Sequence, residues 1–398
     1  MPSVRSREFF ADPVGTARAH PCPALQLRAT TGKAVLVRDP DEIWRILVTD
    51  AGSFTQGKWK RRARRFLGPT LNTIDGAAHR ERRLLLQPAL ERRRLAAFTP
   101  AVTGRVEAAV ERWPTAEPVA LRQLLDPLSV TIAGDLLLGV DLEPVATDLA
   151  HDLGTVMTGL ARLTPPLSGT REGRALTRVH RLIETALASR GEDAPTDDLA
   201  GILLRSGLAR ELVVSEITAF LLAAADEPPS GLAAIFYFLS LSPEIERRLH
   251  DELVAREGDD ASGDLVGAMI AESLRLLPPA RHIDRRPLEP MSVAGVEVTR
   301  ATNILLSPTV THLDDAVFID PDRFDPDRWL ATPNRPARSG YLPFGAGPHS
   351  CIGEHLARLV MTSVLTETVA RRSVHVEPGA EPPIPGRKPL VVRLERRR

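Results

Sequence analysis

The sequence predicts a mainly α fold with minor β structure, and three observations support this prediction. Apolar residues recur at helical spacing over most of the 398 residues. Strand-like runs are few and short, and prolines concentrate in the connections between the periodic segments. No internal repeat, low-complexity linker or shift in composition marks a boundary. We therefore expect one domain that spans residues 1–398.

The predicted elements follow from these patterns in chain order. Helical periodicity is found in Asp41–Val48, Ala77–Leu90, Leu95–Trp113, Val119–Gly139, Ala146–Leu163, Gly173–Ser189, Asp197–Arg205, Val213–Leu239, Ser242–Ala255, Ala261–Leu277 and Gly353–Arg371. Strand-like runs are found in Ala24–Arg28, Ala34–Arg38, Met291–Val298, Asn303–Leu306, Ser373–Val376 and Leu390–Leu394. So few strands predict small sheets at the periphery of a helical body.

Composition excludes several classes of protein. Hydrophobic residues make up 43% of the chain and charged residues 26%, as in ordinary globular proteins, and the formal net charge is zero. This balance offers no electrostatic basis for binding nucleic acid or an anionic membrane. No apolar run approaches the roughly 18–20 residues that span a bilayer, and the N-terminus lacks the apolar core of a signal peptide. We expect a cytoplasmic protein.

The two cysteines, Cys22 and Cys351, cannot form a disulfide framework, and no Cys-x-x-Cys or histidine cluster indicates zinc. Cys351 follows a glycine-rich loop and precedes a helical pattern. The start of a helix favours a thiolate, because its free N–H groups and positive dipole end stabilise negative sulfur. Gly347 and Gly353 permit tight turns and close approach to a flat ligand. These features favour a metal-binding thiolate over the alternative, a buried and inert cysteine.

The loop reads Phe344-Gly345-Ala346-Gly347-Pro348-His349-Ser350-Cys351-Ile352-Gly353. This run resembles the haem-binding loop of the cytochrome P450 family, whose pattern is Phe-x-x-Gly-x-[Arg/His]-x-Cys-x-Gly. The resemblance implies the family's fold, with haem between a long central helix and the cysteine-bearing loop. It implies haem b (iron protoporphyrin IX) as the cofactor, Cys351 as the proximal iron ligand, and Phe344, Gly345 and Gly353 as part of the haem-binding loop.

A second part of the resemblance is Glu272-Ser273-Leu274-Arg275, which lies before Pro278-Pro279. Glu272 and Arg275 lie on one helix face, where they can pair. In the family this pair is buried and fixed to a later segment, which Pro321-Asp322-Arg323-Phe324 resembles. The resemblance implies a structural role for Glu272 and Arg275, with Arg323 as their third partner.

Four cationic side chains match the family's positions for binding the two haem propionates. His79 and Arg83 lie four residues apart, on one face of a predicted helix. Arg285 follows the Pro278-Pro279 pair by the family's spacing, and His349 lies two residues before Cys351. Each of them alone would more often be a solvated charge. Together, in this order, they predict the haem site.

The helix Val213–Leu239 departs from the family where the resemblance places it over the haem. The family has [Ala/Gly]-Gly-x-[Asp/Glu]-Thr-Thr, whereas this chain has Ala224-Ala225-Asp226-Glu227-Pro228-Pro229-Ser230. Pro228 replaces the alcohol that delivers protons during oxygen activation. Asp226 and Glu227 remain as acids, and Ser230 lies about 200° from the lost position. Two prolines predict a kink, with carbonyls left free to hold water or substrate.

Four explanations of this replacement remain open. The substrate supplies a hydroxyl or carboxyl of its own; or the carboxylates and ordered water suffice; or the enzyme acts on a pre-activated N–O or O–O bond without activating oxygen. The fourth is drift in a conventional hydroxylase.

Basic residues cluster in Lys58-Trp59-Lys60-Arg61-Arg62-Ala63-Arg64-Arg65, which we expect to form a loop. A solvated face is the common role of such a run, and recognition of an anionic substrate is the alternative. A further group, Arg80, Arg82, Arg92-Arg93-Arg94 and Arg358, is expected to dock an acidic electron-transfer partner. The residues expected to line the substrate pocket are Phe66, Leu67, Ala224, Ala225, Pro228, His282 and Ile283.

The sequence therefore predicts a haem-thiolate monooxygenase of the soluble bacterial type. It would oxidise a small, largely apolar specialised metabolite, anionic metabolites included, by oxygen insertion or related chemistry. No flavin or nicotinamide fingerprint is present, so a separate ferredoxin and reductase would supply electrons. The alternatives are a transferase, cyclase or peroxygenase-like enzyme that uses a pre-activated substrate, and a haem-binding sensor without turnover.

Overall fold

The computed structural model describes residues 2–28, 33–162, 169–190, 196–255, 264–330, 338–384 and 388–397. These residues are mainly helical with small sheets, so the predicted fold class is confirmed. The predicted helix ends at Leu163 and Ala261 lie outside the described residues. None of the described helices is both long enough and apolar enough to cross a bilayer.

The helices of the described residues are α1 (Ser6–Ala11), α2 (Pro13–Ala19), α3 (Pro40–Trp44), α4 (Lys58–Leu67), α5 (Gly76–Leu86), α6 (Arg92–Ala97), α7 (Thr99–Arg112), α8 (Leu121–Ala133), α9 (Ala146–Arg162), α10 (Arg171–Ala188), α11 (Leu199–Arg205), α12 (Arg210–Leu241), α13 (Pro243–Ala255), α14 (Asp264–Leu276), α15 (Pro308–His312) and α16 (Glu354–Arg371). Turns of π-helix follow α3 at Arg45–Thr49 and α8 at Gly134–Leu138.

The strands are β1 (Ser3–Arg5), β2 (Ala24–Arg28), β3 (Lys33–Val37), β4 (Phe54–Gln56), β5 (Val119–Ala120), β6 (Ile283–Pro287), β7 (Met291–Val293), β8 (Val296–Val298), β9 (Asn303–Leu306), β10 (Arg372–Val376) and β11 (Val391–Arg396). They form a six-stranded mixed sheet in the order β1-β2-β3-β9-β6-β4, a three-stranded sheet in the order β10-β11-β5, and the hairpin β7–β8. Sequence reasoning missed β1, β4, β5 and β6, because β1, β4 and β5 have only two or three residues each and Ile-Asp-Arg-Arg-Pro of β6 is mostly charged.

The described residues divide into two compact units, which we treat separately. The sheet unit comprises Met1–Arg62, Thr73–Arg80 and Ala271–Ile352, and the helical unit comprises Ala63–Asn72, Glu81–Ile270 and Gly353–Arg398. The expectation of a single domain stays a prediction. In the sheet unit, two apolar clusters pack on the six-stranded sheet, one of them around Val37 and Ile304 and the other around Phe9 and Leu25.

The helical unit is built around α12. This helix is apolar over most of its surface, as expected of a helix enclosed by others. Within the unit it packs against α8, α9, α10, α11, α13 and α16. It runs without interruption through Pro228 and Pro229.

One prediction about local structure is wrong. The basic segment was expected to be a loop, but Lys58–Leu67 forms the helix α4. The segment contains neither glycine nor proline, and its apolar residues Ala63, Phe66 and Leu67 are buried while Arg61, Arg64 and Arg65 are exposed. Helical spacing therefore separates the charges from the apolar side chains.

A buried ion pair organises the sheet unit, as predicted. Neither Glu272 nor Arg275 has an exposed side chain. All five N–H donors of the Arg275 guanidinium are used, in bonds of 2.6–3.0 Å. Two of them go to the Glu272 carboxylate, and the other three go to the carbonyls of His312, Pro321 and Arg323.

The predicted role of the Arg323 side chain is wrong. Arg323 joins the network through its carbonyl, whereas the second cation on Glu272 is Arg328, whose Nε lies 3.0 Å from Oε1. Trp329 Nε1 also donates to Glu272, at 2.8 Å. The chain contains the pattern Pro-Asp-Arg-aromatic twice, at residues 321–324 and 326–329. Sequence reasoning chose the first copy, and the second one faces Glu272.

His312 connects this network to the loop that leads to Cys351. Its Nε2 accepts from the Leu342 N–H at 2.8 Å, so its Nδ1 carries the proton that bonds the Arg275 carbonyl at 3.1 Å. Burial lowers the pKa of His312 to about 3, and the hydrogen bond to the Arg275 carbonyl opposes this shift. The imidazole is therefore neutral in the folded protein.

The two copies of the Pro-Asp-Arg-aromatic pattern provide a matched test. We expect Arg328→Met to lower the free energy of unfolding by about 3 kcal/mol, because it leaves the buried Glu272 carboxylate short of a cation. Arg323→Met should cost no more than about 0.5 kcal/mol, since that side chain is exposed. Denaturant unfolding of the haem-loaded protein measures both values. Equal losses for the two variants would contradict the assignment.

The pKa of His312 predicts a pH dependence. Because its folded pKa is about 3, below the usual value of 6.5, only the unfolded chain takes up this proton as the pH falls from 6.5. Stability should therefore fall with falling pH, by up to about 1.4 kcal/mol per unit from this group. His312→Gln, measured by unfolding between pH 6.5 and pH 5, should flatten the slope by that amount. His375→Gln is the control, since His375 is exposed, and its slope should match the unsubstituted protein's.

Candidate functional site

Cys351 lies at the end of a tightly folded loop in the sheet unit. Gly345 and Gly347 have φ angles of +68° and +71°, a backbone conformation that favours glycine. A Cβ atom on Gly347 would lie 1.8 Å from the carbonyl oxygen of Leu47, so no side chain fits there. The Cys351 N–H donates to the carbonyl of Phe344 at 2.8 Å. The loop thus closes on itself and leaves Cys351 exposed.

Three of the four predicted propionate ligands meet in the sheet unit. The rings of His79 and His349 stack with centroids 3.8 Å apart. His349 Nδ1 lies 2.9 Å from Gln56 Nε2, and Arg285 Nη1 donates to Gln56 Oε1 at 3.2 Å. One amide on β4 therefore joins Arg285 of β6 to His349 of the cysteine loop, and His79 of α5 packs on His349.

The Arg285 guanidinium is deeply buried, at 8% exposure. Burial lowers its pKa, while Asp284 and Asp75 act in the opposite direction. Its hydrogen bonds go to neutral oxygens, those of the Gln56 amide and the Asp284 carbonyl. A buried cation bonded to neutral groups favours an anionic ligand.

Asp75 supports the same cluster. Its carboxylate accepts from the Thr55 hydroxyl at 2.6 Å and from the Gln56 N–H at 3.2 Å, and it lies 3.7 Å from His349 Nε2. Sequence reasoning missed both Asp75 and Gln56. Neither lies in a family motif, and the pairing of β4 with β6, which places Gln56 opposite Arg285, was not predicted.

The other predicted residues of the sheet unit are placed as follows. Ile283 lies beside Gly345, with its Cδ1 3.7 Å from the Cβ that a side chain there would have. His282 packs against Phe10 and Phe9, with ring centroids 5.2 Å and 6.1 Å away. Burial, with a smaller effect of Arg281, lowers the pKa of His282 to about 4, so its ring is neutral at pH 7. Assignment of Ile283 and His282 to a substrate pocket stays a prediction.

In the helical unit, the carbonyls next to Pro228 are not free, contrary to expectation. Proline has no N–H, so Ala224 and Ala225 lose their ordinary helical partners. The Ala224 carbonyl instead accepts from Ser129 Oγ at 2.6 Å, and the Ala225 carbonyl accepts from Arg122 Nη2 at 3.3 Å. Side chains of α8 therefore occupy the positions where water or substrate was expected.

Arg122 also fixes Asp226 and Ser230. It lies 3.1 Å from the Asp226 carboxylate and donates to Ser230 Oγ at 2.7 Å. Ser230 thus faces α8, in agreement with its expected rotation away from the lost alcohol. Asp126 pairs with Arg122 at 2.5 Å, and burial raises the pKa of Asp126 to about 6 although Arg122 opposes this shift. Glu227 is half-buried and follows Asp226 on α12.

The remaining pocket predictions also concern the helical unit. Phe66 and Leu67 are buried, and Phe66 Cε1 lies 3.6 Å from the position that a Cβ on Gly159 of α9 would take. Arg83 lies one helical turn after His79 on α5, as predicted, and Gly353 precedes α16. Their roles toward haem and substrate stay predictions.

Two of the arginines expected to dock an electron-transfer partner are otherwise engaged. Arg82 pairs with Glu216, whose buried carboxylate also accepts from the Leu71 N–H. The Arg94 side chain is only 10% exposed and bonds the Ala89 carbonyl. Burial raises the pKa of Glu216, and the bonds from Leu71 and Arg82 oppose this shift. Arg80, Arg92 and Arg93 are exposed.

A P450-like loop, fold and cation cluster define a haem-thiolate enzyme. The family model for Cytochrome P450 matches residues 14–398, and the chain belongs to the cytochrome P450 family. It is a monooxygenase of this family, related to cyclooctat-9-en-7-ol 5-monooxygenase of Streptomyces melanosporofaciens, with 30% identity over 87% of this chain and 81% of that protein. Pentalenene oxygenase of Streptomyces avermitilis is 29% identical over 90% of this chain and 85% of its own length.

Solved structures show the same fold. The retinoic acid-bound cyanobacterial CYP120A1 superposes with a TM-score of 0.88 and 24% identity, over 100% of this chain and 99% of its own. CYP175A1 from Thermus thermophilus has a TM-score of 0.77 and 25% identity, over 99% of this chain and 100% of its own.

The residues present fit the haem that the family uses. Cys351 offers an exposed sulfur, Gly347 leaves no room for a side chain, and Arg285 is a buried cation with neutral partners. His79 and His349 add two further donors to the same cluster. The donor set thus suits a flat iron complex that carries carboxylates.

Gln56 provides a test of the cluster that does not require turnover. We expect Gln56→Leu to increase the rate of haem transfer to apomyoglobin about tenfold, because Arg285 and His349 lose their shared partner and one hydrogen bond to a charged group is worth about 1.5–3 kcal/mol. Gln26→Leu on β2 of the same unit is the control and should leave the rate unchanged. An unaltered rate in Gln56→Leu would show that the amide does not position the cluster.

Proposed function

We propose that this monooxygenase oxidises a terpenoid hydrocarbon or terpenoid alcohol. The observation that carries the proposal is the relationship to two Streptomyces enzymes whose names specify such substrates, over more than four fifths of each protein. An apolar substrate also agrees with the buried, apolar character of Phe66, Leu67 and Ala225, which we assign to its pocket.

Haem b, when bound, supplies the iron that activates oxygen and oxidises a C–H bond. In this proposal Cys351 holds the iron, while Arg285, His79, His349 and Arg83 bind the propionates. Gln56 orients two of these groups through bonds of 2.9 Å and 3.2 Å. Glu227 moves protons in place of the alcohol that Pro228 lacks.

A separate ferredoxin and its reductase are proposed to supply electrons, in the cytoplasm. The exposed Arg92 and Arg93 in the helical unit are the cations we assign to docking the acidic partner. Arg61, Arg64 and Arg65 on α4 are also exposed, and they would favour a substrate that carries a carboxylate or diphosphate.

A second candidate rests on Pro228. A side chain that cannot donate a proton suits a reaction that needs none, such as transfer or cyclisation from a pre-activated N–O or O–O bond. Such an enzyme would turn over fully without oxygen or an electron donor. A sensor, in contrast, would change its spectrum on binding a ligand and consume no donor.

The proposed function predicts oxygen-dependent product formation. Cyclic sesquiterpenes and diterpenes that shift the ferric haem from low to high spin should yield singly oxygenated products with ferredoxin, reductase and air. The same mixtures should yield none under anaerobic conditions. Full anaerobic turnover of an N–O or O–O substrate would instead establish the second candidate, and spectral shifts without donor consumption would establish the sensor.

The assignment of Cys351 predicts a spectroscopic change. Cys351→Ser should lose the red-shifted absorption of the reduced carbon monoxide complex, because that band requires thiolate coordination, while its far-ultraviolet circular dichroism should match the unsubstituted protein's. Cys22→Ser is the control and should keep the band. Retention of the band in Cys351→Ser would overturn the whole proposal.

A further inference from the structure

The turn of α12 at Pro228 and Pro229 is completed by two side chains from another helix. Pro228 and Pro229 remove two backbone donors, and a carbonyl left unpaired away from water costs free energy comparable to a lost hydrogen bond. Arg122 Nη1 donates to the Asp226 carbonyl at 3.1 Å, and Nη2 donates to the Ala225 carbonyl at 3.3 Å. The two carbonyls that lose their helical donors are those of Ala225 and Ala224, and the Ala224 carbonyl accepts from Ser129 Oγ.

The same guanidinium bonds two side chains of α12. Arg122 lies 3.1 Å from the Asp226 carboxylate and 2.7 Å from Ser230 Oγ, which is one turn further along the helix. Its Nε lies 2.5 Å from Asp126, one turn along α8. The planar fork of arginine, with its five donors, is suited to bridging carbonyls and carboxylates at once, whereas lysine is not.

We infer that Arg122 is a positioning residue, whose guanidinium replaces the backbone donor lost at Pro229 and holds Asp226 against α8, while Ser129 replaces the donor lost at Pro228. Successive residues of a helix point about 100° apart. Asp226 faces α8, where it is held in an ion pair with Arg122. The adjacent carboxylate, that of Glu227, therefore points in a different direction. The inference rests on the proposed function for its catalytic consequence, and on the contacts alone for its structural part.

The two adjacent acids of α12 then have different roles. Asp226 is structural and keeps the turn closed, while Glu227 serves proton delivery. The path of protons does not pass through water bound at the carbonyls of Ala224 and Ala225, because Ser129 and Arg122 already donate hydrogen bonds to these carbonyls. A family helix with Thr-Thr at the positions of Pro228 and Pro229 keeps the two backbone donors that Ser129 and Arg122 replace here.

Amide hydrogen exchange of the haem-loaded protein tests the structural part without turnover. We expect Arg122→Leu to accelerate exchange in a peptide that covers residues 219–235 about tenfold. Arg105→Leu is the matched control, since Arg105 has the same 30% side-chain exposure, lies in the same unit and joins Asp135, Asp141 and Glu143. It should leave that peptide unchanged. Equal acceleration by the two variants would overturn the inference.

A double-mutant cycle tests the replacement of backbone donors. In a Pro228→Ala/Pro229→Ala background the N–H groups return, so Arg122→Leu should accelerate exchange no more than about twofold to threefold. The same tenfold effect in both backgrounds would contradict the inference. Should Arg122→Leu fail to fold, Arg122→Lys serves instead, since it keeps the charge but not the fork, and should give an intermediate acceleration.

Coupling of electrons to product tests the division between the acids. Asp226→Asn should accelerate exchange in the same peptide, and Glu227→Gln should leave exchange unchanged while lowering the fraction of electrons recovered in product severalfold with little change in KM. Loss of coupling in Asp226→Asn without a change in exchange would identify Asp226 as the acid and overturn the inference. If no terpenoid is oxidised by the unsubstituted enzyme, the proposed function fails, and the exchange results still decide the role of Arg122.

Discussion

The cysteine loop depends on the ion pair and hydrogen bonds of one buried guanidinium, that of Arg275. Its charge is compensated by Glu272, and its three remaining N–H bonds go to carbonyls at His312, Pro321 and Arg323. A buried pair of this kind contributes little net stability unless further hydrogen bonds saturate it. Here every donor is used, and the neutral His312 carries the constraint on to Leu342, at the start of the loop that ends at Cys351. The position of the Cys351 sulfur is thus fixed by residues that lie far from it in the sequence.

In the site itself, too, a neutral side chain fixes the position of a charged one. Gln56 is an amide with one donor end and one acceptor end, and it meets His349 with the first and Arg285 with the second. An amide joins Arg285 to His349 without cancelling the charge of the guanidinium. A carboxylate at this position would neutralise Arg285 and compete with an anionic ligand. Asp75, which does carry charge, lies one step further back, against Thr55 and the Gln56 backbone.

Sequence reasoning identified the parts of this site that a local pattern encodes. Cys351, His349, His79 and Arg285 were found because each lies at a fixed distance from a motif, and the structure brings the last three together. Gln56 and Arg122 were missed because each depends on which strands or helices become neighbours, and a neutral amide or a surface-like arginine carries no signal of its own. Arg328 was missed for another reason. Two copies of one short pattern compete for Glu272, and only packing chooses between them.

The close approach of the Leu47 carbonyl to Gly347 has a consequence for redesign of the cysteine loop. The carbonyl that a side chain at Gly347 would meet belongs to Leu47, which lies within the π-helical turn Arg45–Thr49. The turn therefore determines the conformation of the loop that carries Cys351. Deleting one residue of this turn, so that it becomes a regular α-helix, would remove this contact and release the loop, while every recognisable signature of the enzyme stayed intact.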